Sequence, residues 1–154
     1  MSGSSQVRSS ASSRARSVAR RLAMQAIYQA QLNAQPWQDL HQQFLAHEDM
    51  PRADGEYFRE LLQQVCGARE RLDADLATLL DRAPKDLDPV EHAILLIGLY
   101  ELEARSDVPF RVVINEGVGL ARKFGATDGH KYVNAVLDRA AARLRASERG
   151  TPSN

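Results

Sequence analysis

Residues 124–134, near the C-terminal end of the chain, combine residue types suited to contacting a nucleic acid. They include the aromatic ring of Tyr132, the carboxylate of Asp128 and the ammonium group of Lys131, with Lys123 just before them. An aromatic ring can stack on a base, a carboxylate can accept hydrogen bonds from a base edge, and lysine can contact phosphate. Two alternatives stay open, because Asp128 also suits a helix N-cap and Tyr132 also suits a core position.

The first predicted helix, about residues 14–33, carries a second polar surface. Arg21, Gln25 and Tyr28 lie on one side of it at spacings i, i+4 and i+7. They offer a guanidinium for phosphate, an amide for a base edge and a ring for stacking. Alternatively, the polar residues only solvate an exposed face while Tyr28 packs against another helix. The candidate contacts in this segment are Arg14, Arg16, Arg20, Arg21, Gln25 and Tyr28.

The net charge of zero conceals an uneven distribution of charge. Residues 1–38 contain five arginines and no acidic residue, whereas the rest of the chain carries all 20 acids against 15 bases. A basic end on an acidic body favours a local anionic partner, of which nucleic acid is the commonest. A solubilising tail is the other interpretation.

Motifs for catalysis or metal binding are scarce. The four histidines lack metal-site spacing, and the single Cys66 cannot form an internal disulfide or begin a thiolate metal site. Neither a phosphate-binding loop nor a dinucleotide fingerprint occurs, so Gly117 and Gly119 are predicted to permit close helix packing. No secretory signal or long apolar run is present. We therefore expect a cytoplasmic protein that is not an enzyme, with no cofactor, metal or membrane contact.

Hydrophobic periodicity of about 3.6 residues predicts an all-α fold of about seven helices. Residues 1–13 contain seven serines and are predicted to be disordered, and residues 147–154 to form a flexible tail. Later helices are expected at about 38–48, with Leu45 facing inward, around 57–65 and from about 73 to before Pro84. Two more are expected at about 110–124, closed by Gly125, and at about 128–146.

The residues Asp88-Pro89-Val90-Glu91 resemble a capping box at the start of the most apolar helix. Asp88 occupies the N-cap position, Pro89 the first helical position and Glu91 the third. The residues that follow are apolar around nearly the whole helix circumference. This helix is therefore predicted to lie in the middle of a bundle.

Several separated motifs occur in an order that is specific. They are Arg20 with AMQAIY at 23–28, YFRELL at 57–62, LYEL at 99–102, RSDVP at 105–109, INE at 114–116, FG at 124–125 and VLD at 136–138. With these motifs the chain resembles the NusB family of transcription antitermination factors over about residues 14–145. The resemblance implies two three-helix bundles packed side by side, with residues 14–146 forming a helical RNA-binding domain.

The same resemblance implies a function without catalysis. It implies binding to the boxA element of nascent ribosomal RNA, pairing with the ribosomal protein NusE, and action within an RNA polymerase antitermination complex. Tyr28, Asp128 and Tyr132 match RNA-facing positions, and Glu91 matches a position near the partner interface, although a capping role would explain Glu91 equally well. The arginine run of the first helix is less dense than is usual in the family, which should flatten the salt dependence of RNA binding.

Two other functions stay open at this point. One is an RNA-recognition module related to that of ribosomal RNA cytosine methyltransferases, which would need a further domain to hold the methyl donor. The other is a helical scaffold that binds only proteins. The oligomeric state is expected to be either monomer or homodimer.

Overall fold

The computed structural model describes the backbone of residues 2–149 and the side chains of residues 11–149. Most of the predicted C-terminal tail, residues 150–154, lies outside the described residues, as does Met1. Within the described backbone there are seven α-helices, two 3-10 turns and no β-strand, which confirms the all-α prediction. The helices are α1 Ser2–Asn33, α2 Trp37–Leu45, α3 Gly55–Gly67, α4 Arg69–Ala77, α5 Pro89–Ala104, α6 Phe110–Phe124 and α7 Gly129–Leu144.

The chain divides into two compact units, Met1–Cys66 and Gly67–Asn154. In the first, α1 contacts α2, and the ring of Phe58 on α3 stacks 5.9 Å from that of Phe44 on α2. The helical period of residues 14–33 predicts a core face formed by Ala19, Leu22, Ala23, Ala26, Ile27 and Ala30. These residues are buried, except that Ala30 is half-buried. The inward position predicted for Leu45 is wrong, since this residue is 48% exposed. It lies about 100° around the helix from the buried Phe44 and so leaves the apolar stripe.

Helix α1 begins at Ser2, so it includes the serine-rich residues for which composition predicts disorder. Serine lowers helix stability only modestly, and a helix anchored by buried residues further along can extend through such a segment. The anchoring begins at Ala19, the first buried residue of α1 among the described side chains.

The second unit is built around α5. Every residue from Glu91 to Leu102 is buried, which confirms the predicted central position of this helix. Helices α5, α6 and α7 each contact the other two, and α4 packs on α5. A Cβ atom at Gly117 would lie 2.9 Å from Leu137 Cδ1, so the packing role predicted for this glycine is confirmed. Gly119 has no neighbour within 4 Å of such an atom, because it faces solvent, and the same prediction is wrong there.

Two arginines, Arg139 in α7 and Arg145 directly after it, donate hydrogen bonds to backbone carbonyls near the C-terminal ends of α4 and α5. The guanidinium of Arg139 donates two hydrogen bonds, of 3.1 and 2.9 Å, to the carbonyl of Leu79, just after α4. The buried Arg145 donates to the carbonyls of Leu102, Glu101 and Arg105 at the end of α5. The carbonyl of Leu102 lies in the last turn of α5, where carbonyls have no partner within the helix, so Arg145 satisfies it. Arg139 ties Leu79, which follows α4, to α7. Periodicity alone gives no sign of these contacts.

Candidate nucleic-acid interface

The loop between α6 and α7 is held by the carboxylate of Glu91 on α5. Its Oε2 atom accepts a hydrogen bond of 3.1 Å from the backbone N–H of Ala126, and the residue is only 7% exposed. A Cβ atom at Gly129 would lie 1.9 Å from Oε2, so the carboxylate occupies space that only glycine leaves free. Burial raises the pKa of the Glu91 carboxyl, while the bond from Ala126 acts in the opposite direction.

The predicted capping box is half formed. Asp88 Oδ1 accepts hydrogen bonds from the N–H groups of Val90 (2.9 Å) and Glu91 (3.2 Å), which confirms Asp88 as the N-cap of α5. The reciprocal bond from Glu91 back to the cap is replaced by its bond to Ala126. The capping explanation of Glu91 is therefore wrong, because a tertiary contact engages the carboxylate instead.

Asp128 presents its side chain at the start of α7 without capping it. The residue stands at the N-cap position in the left-handed region, with φ 64°, and its side chain makes no capping hydrogen bond. That side chain is 67% exposed and lies 3.5 Å from Lys131 Nζ, which is also exposed. The capping alternative for the Asp128 carboxylate is thus wrong, and its oxygens face solvent. Lys123 is likewise exposed, in the last turn of α6, and Gly125 closes that helix through its N–H bond to Ala121.

Tyr132 is half-buried and belongs to a cluster with Asp81 and Arg82, which we call the tyrosine cluster. The phenol of Tyr132 donates a hydrogen bond of 2.9 Å to Asp81 Oδ1, and Arg82 Nε donates one of 2.8 Å to the same atom. The guanidinium carbon of Arg82 lies 4.6 Å from the centre of the Tyr132 ring. The simple core alternative for Tyr132 does not hold, because its hydroxyl group bonds to an exposed carboxylate.

These contacts shift the acidity of the cluster. Hydrogen bonds from Arg82 and Tyr132 lower the pKa of Asp81 to about 2. Burial and the bond to Asp81 raise the pKa of Tyr132. Asp81 and Arg82 were not among the residues predicted from the sequence, because they lie some 50 residues before Tyr132 in a polar loop. The only local signal is a charged pair just before Pro84.

In the first unit, the basic face of α1 is paired with acids that are distant in the chain. Arg21 donates a hydrogen bond of 3.0 Å to Asp49, and Arg16 Nε lies 3.8 Å from Asp54. Hydrogen bonds from Arg52 and Arg21 lower the pKa of Asp49. The expectation that this segment carries uncompensated positive charge is therefore wrong for Arg16 and Arg21. The acids that pair with them come from the segment between α2 and α3.

The remaining candidates of α1 differ in exposure. Arg20 is only 4% exposed, and its guanidinium carbon lies 5.5 Å from the centre of the Tyr57 ring, so it belongs to the interior of the unit. Arg14 is exposed, whereas Gln25 and Tyr28 are half-buried. The accessible part of the predicted surface on α1 therefore consists of Arg14, Gln25, Tyr28 and the paired Arg16 and Arg21.

Two further features concern other classes of site. Among the described side chains, no three His, Cys, Asp or Glu residues converge where they could hold a metal ion. No helix in the described part of the chain is long and apolar enough to cross a membrane.

The fold and the site define an all-α protein whose candidate site is a polar and aromatic surface. The family model described as NusB family matches residues 17–142. The chain belongs to the NusB family. The prediction from its motifs is thereby confirmed.

Individual relatives agree with this assignment. The Transcription antitermination protein NusB of Alcanivorax borkumensis is 51% identical over 134 residues, covering 87% of this chain and 89% of the relative. The protein of the same name from a Marinomonas species is 50% identical over 138 residues, covering 88% and 79%. The structure of T. maritima NusB matches with a TM-score of 0.76 at 22% identity, covering 88% of this chain and 96% of that one, and supports the fold. These relatives are named for a role that involves no catalysis, which agrees with the prediction that the chain is not an enzyme.

Proposed function

We propose that this protein is a cytoplasmic transcription antitermination factor. It binds the boxA element of nascent ribosomal RNA together with the ribosomal protein NusE, within an RNA polymerase antitermination complex. Membership of the NusB family and the names of the relatives support the antitermination role. The proposal of RNA binding rests on the start of α7. There the carboxylate of Asp128, which makes no capping hydrogen bond, lies near Lys131 and Tyr132.

The residues of this corner supply complementary contacts for single-stranded RNA. The exposed Lys123 and Lys131 are suited to phosphate, and Asp128 to the donor groups of a base edge. The tyrosine cluster supplies the stacking surface. In the first unit, Tyr28 and Gln25 offer a ring and an amide, and Arg14 an exposed cation.

Glu91 is buried below this surface and supports the loop that carries it. Because its carboxylate is buried and accepts the bond from Ala126, it shapes the loop between α6 and α7 and does not itself project toward a partner. We therefore assign Glu91 a positioning role for the surface that RNA and NusE share.

The test is a titration of fluorescent boxA RNA with the protein, with and without NusE, at two salt concentrations. Tyr132→Ala should weaken binding by about 1–3 kcal/mol, the loss of one stacked base. Asp128→Ala should weaken binding on the same scale, because a base-edge contact is lost. Asn115→Ala, at an exposed position of α6 outside residues 123–134, is the control and should leave the affinity unchanged.

Circular dichroism checks that each variant keeps its helicity. Unchanged affinity in both Tyr132→Ala and Asp128→Ala would refute the site. A wild-type protein that joins NusE but retains no RNA would refute RNA binding and leave a protein-binding scaffold.

A further inference from the structure

Arg82 covers the ring that the sequence offers as a stacking platform. Its guanidinium carbon lies 4.6 Å from the centre of the Tyr132 ring, well inside the distance at which a cation is attracted to an aromatic face. A base that approached this side of the cluster would meet the guanidinium before the ring. The aromatic residue is therefore not the outermost plane on this face.

The guanidinium is held in this position from its edge. Asp81 Oδ1 accepts hydrogen bonds from both Arg82 Nε and the Tyr132 phenol, and Arg82 Nη2 lies 3.4 Å from Asp81 Oδ2. The carboxylate thus links the guanidinium of Arg82 to the phenol of Tyr132. A side chain constrained in this way loses less conformational freedom when a ligand binds it.

The side chain of Arg82 also remains accessible, with 48% of it exposed. The guanidinium carbon lies over the ring and one edge of the group is bonded to Asp81, and the exposed remainder of the side chain is accessible to a ligand. Guanidinium planes stack on nucleic-acid bases as aromatic rings do. The positive charge of Arg82 is balanced by the adjacent Asp81. The cluster therefore suits stacking of a base on the guanidinium more than attraction of a phosphate.

We infer that Arg82 is an RNA-contacting residue, on whose guanidinium plane an unpaired base stacks, and that Tyr132 and Asp81 position this plane. The inference rests on the proposed RNA-binding function and identifies a contact residue that the family motifs quoted above do not include. It assigns Tyr132 the inner layer of a stack of ring, guanidinium and base.

The test compares Arg82→Lys with the wild-type protein in the boxA RNA titration. Lysine keeps the charge and loses the plane, so the affinity should fall about tenfold, within the range for one stacked base, while the salt dependence stays the same. Arg71→Lys is the matched control. Arg71 is similarly exposed, at 55%, and is paired with Asp75 and Glu103, and it makes no aromatic contact with the described side chains. This control should bind like the wild type.

A second arm uses RNAs in which one base at a time is replaced by an abasic nucleotide. At one position the replacement should weaken binding of the wild-type protein but not that of Arg82→Lys, because the variant has already lost that stacking contact. Equal affinity of Arg82→Lys and wild type overturns the inference while leaving RNA binding intact. Additive losses at every RNA position also overturn it, since Arg82 then contacts the RNA without stacking. A wild-type protein that binds no boxA RNA overturns the proposed function itself.

Discussion

At the residue scale, the carboxylate of Glu91 joins α5 to the loop before α7. It is buried, it accepts a hydrogen bond from Ala126, and burial raises its pKa. A raised pKa in the folded state means that the folded protein binds this proton more tightly than the unfolded chain does. The free energy of unfolding therefore falls as the pH rises from the ordinary range of a glutamate toward the raised pKa.

Glu91→Gln tests this pH dependence. Glutamine keeps an oxygen that can accept from Ala126 and cannot ionise, so the variant should equal the wild type in stability at acidic pH, where Glu91 is protonated. Above the raised pKa the variant should be the more stable of the two. Urea unfolding over a pH series measures the difference. A difference that does not change with pH would show that the charge of Glu91 is compensated by a contact not described above.

At the element scale, the distance between neighbouring helices determines which glycines of the second unit can be replaced by a larger residue. Gly129 opens α7 directly against the Glu91 carboxylate, whereas Gly119 lies on the solvent face of α6. Gly119 lies in the interior of α6, where glycine costs about 1 kcal/mol relative to alanine, whereas Gly129 is the first residue of α7. The two glycines differ in their surroundings, because Gly129 faces the Glu91 carboxylate and Gly119 faces solvent.

Gly129→Ala and Gly119→Ala should therefore shift stability in opposite directions. At Gly129 the added methyl group meets Glu91 Oε2, and the strain should lower the free energy of unfolding by about 1–3 kcal/mol. At Gly119 the substitution should be neutral or raise it by up to about 1 kcal/mol. Urea unfolding at neutral pH measures both. Combining Gly129→Ala with Glu91→Ala should recover part of the loss, and an unchanged loss would show that the clash is not with the carboxylate.

At the scale of the whole molecule, charge is distributed differently in the fold than along the chain. The arginines of α1 have no acid nearby in the sequence, but the fold places Asp49 beside Arg21 and Asp54 beside Arg16. Acids bound in this way would compete with the phosphates of an anionic partner for the same guanidinium groups. The first unit therefore attracts an anionic partner less strongly than its sequence predicts.

Asp49→Asn should release Arg21 for phosphate contact if α1 takes part in RNA binding. The affinity for boxA RNA should rise a few-fold, and the slope of log affinity against log salt should steepen by up to about 0.7, the value for one added contact to a single strand. Asp39→Asn, at an exposed acid of α2, changes the net charge equally and serves as the control. Equal effects of the two substitutions would show that only the overall charge matters.

Local patterns in the chain were sufficient for the helical class, the bounds of α6, the N-cap at Asp88 and the central position of α5. Each depends on residues within one or two helical turns, where periodicity and capping preferences act. The order of separated motifs was sufficient for the family. The candidate corner of Lys123, Asp128, Lys131 and Tyr132 was also visible, because its residues are near neighbours in the sequence.

Only the tertiary structure showed which partners these side chains have. Glu91 bonds to Ala126, 35 residues away, instead of completing its capping box, Arg21 pairs with Asp49, 28 residues away, and Tyr132 joins Asp81 across 51 residues. Such pairs depend on the directions in which side chains leave separate elements, and these directions are set by packing around α5 and α1 rather than by local preference. For the same physical reason, the sequence determined that a tyrosine stands at the candidate site, and the fold decided that Arg82 covers its ring.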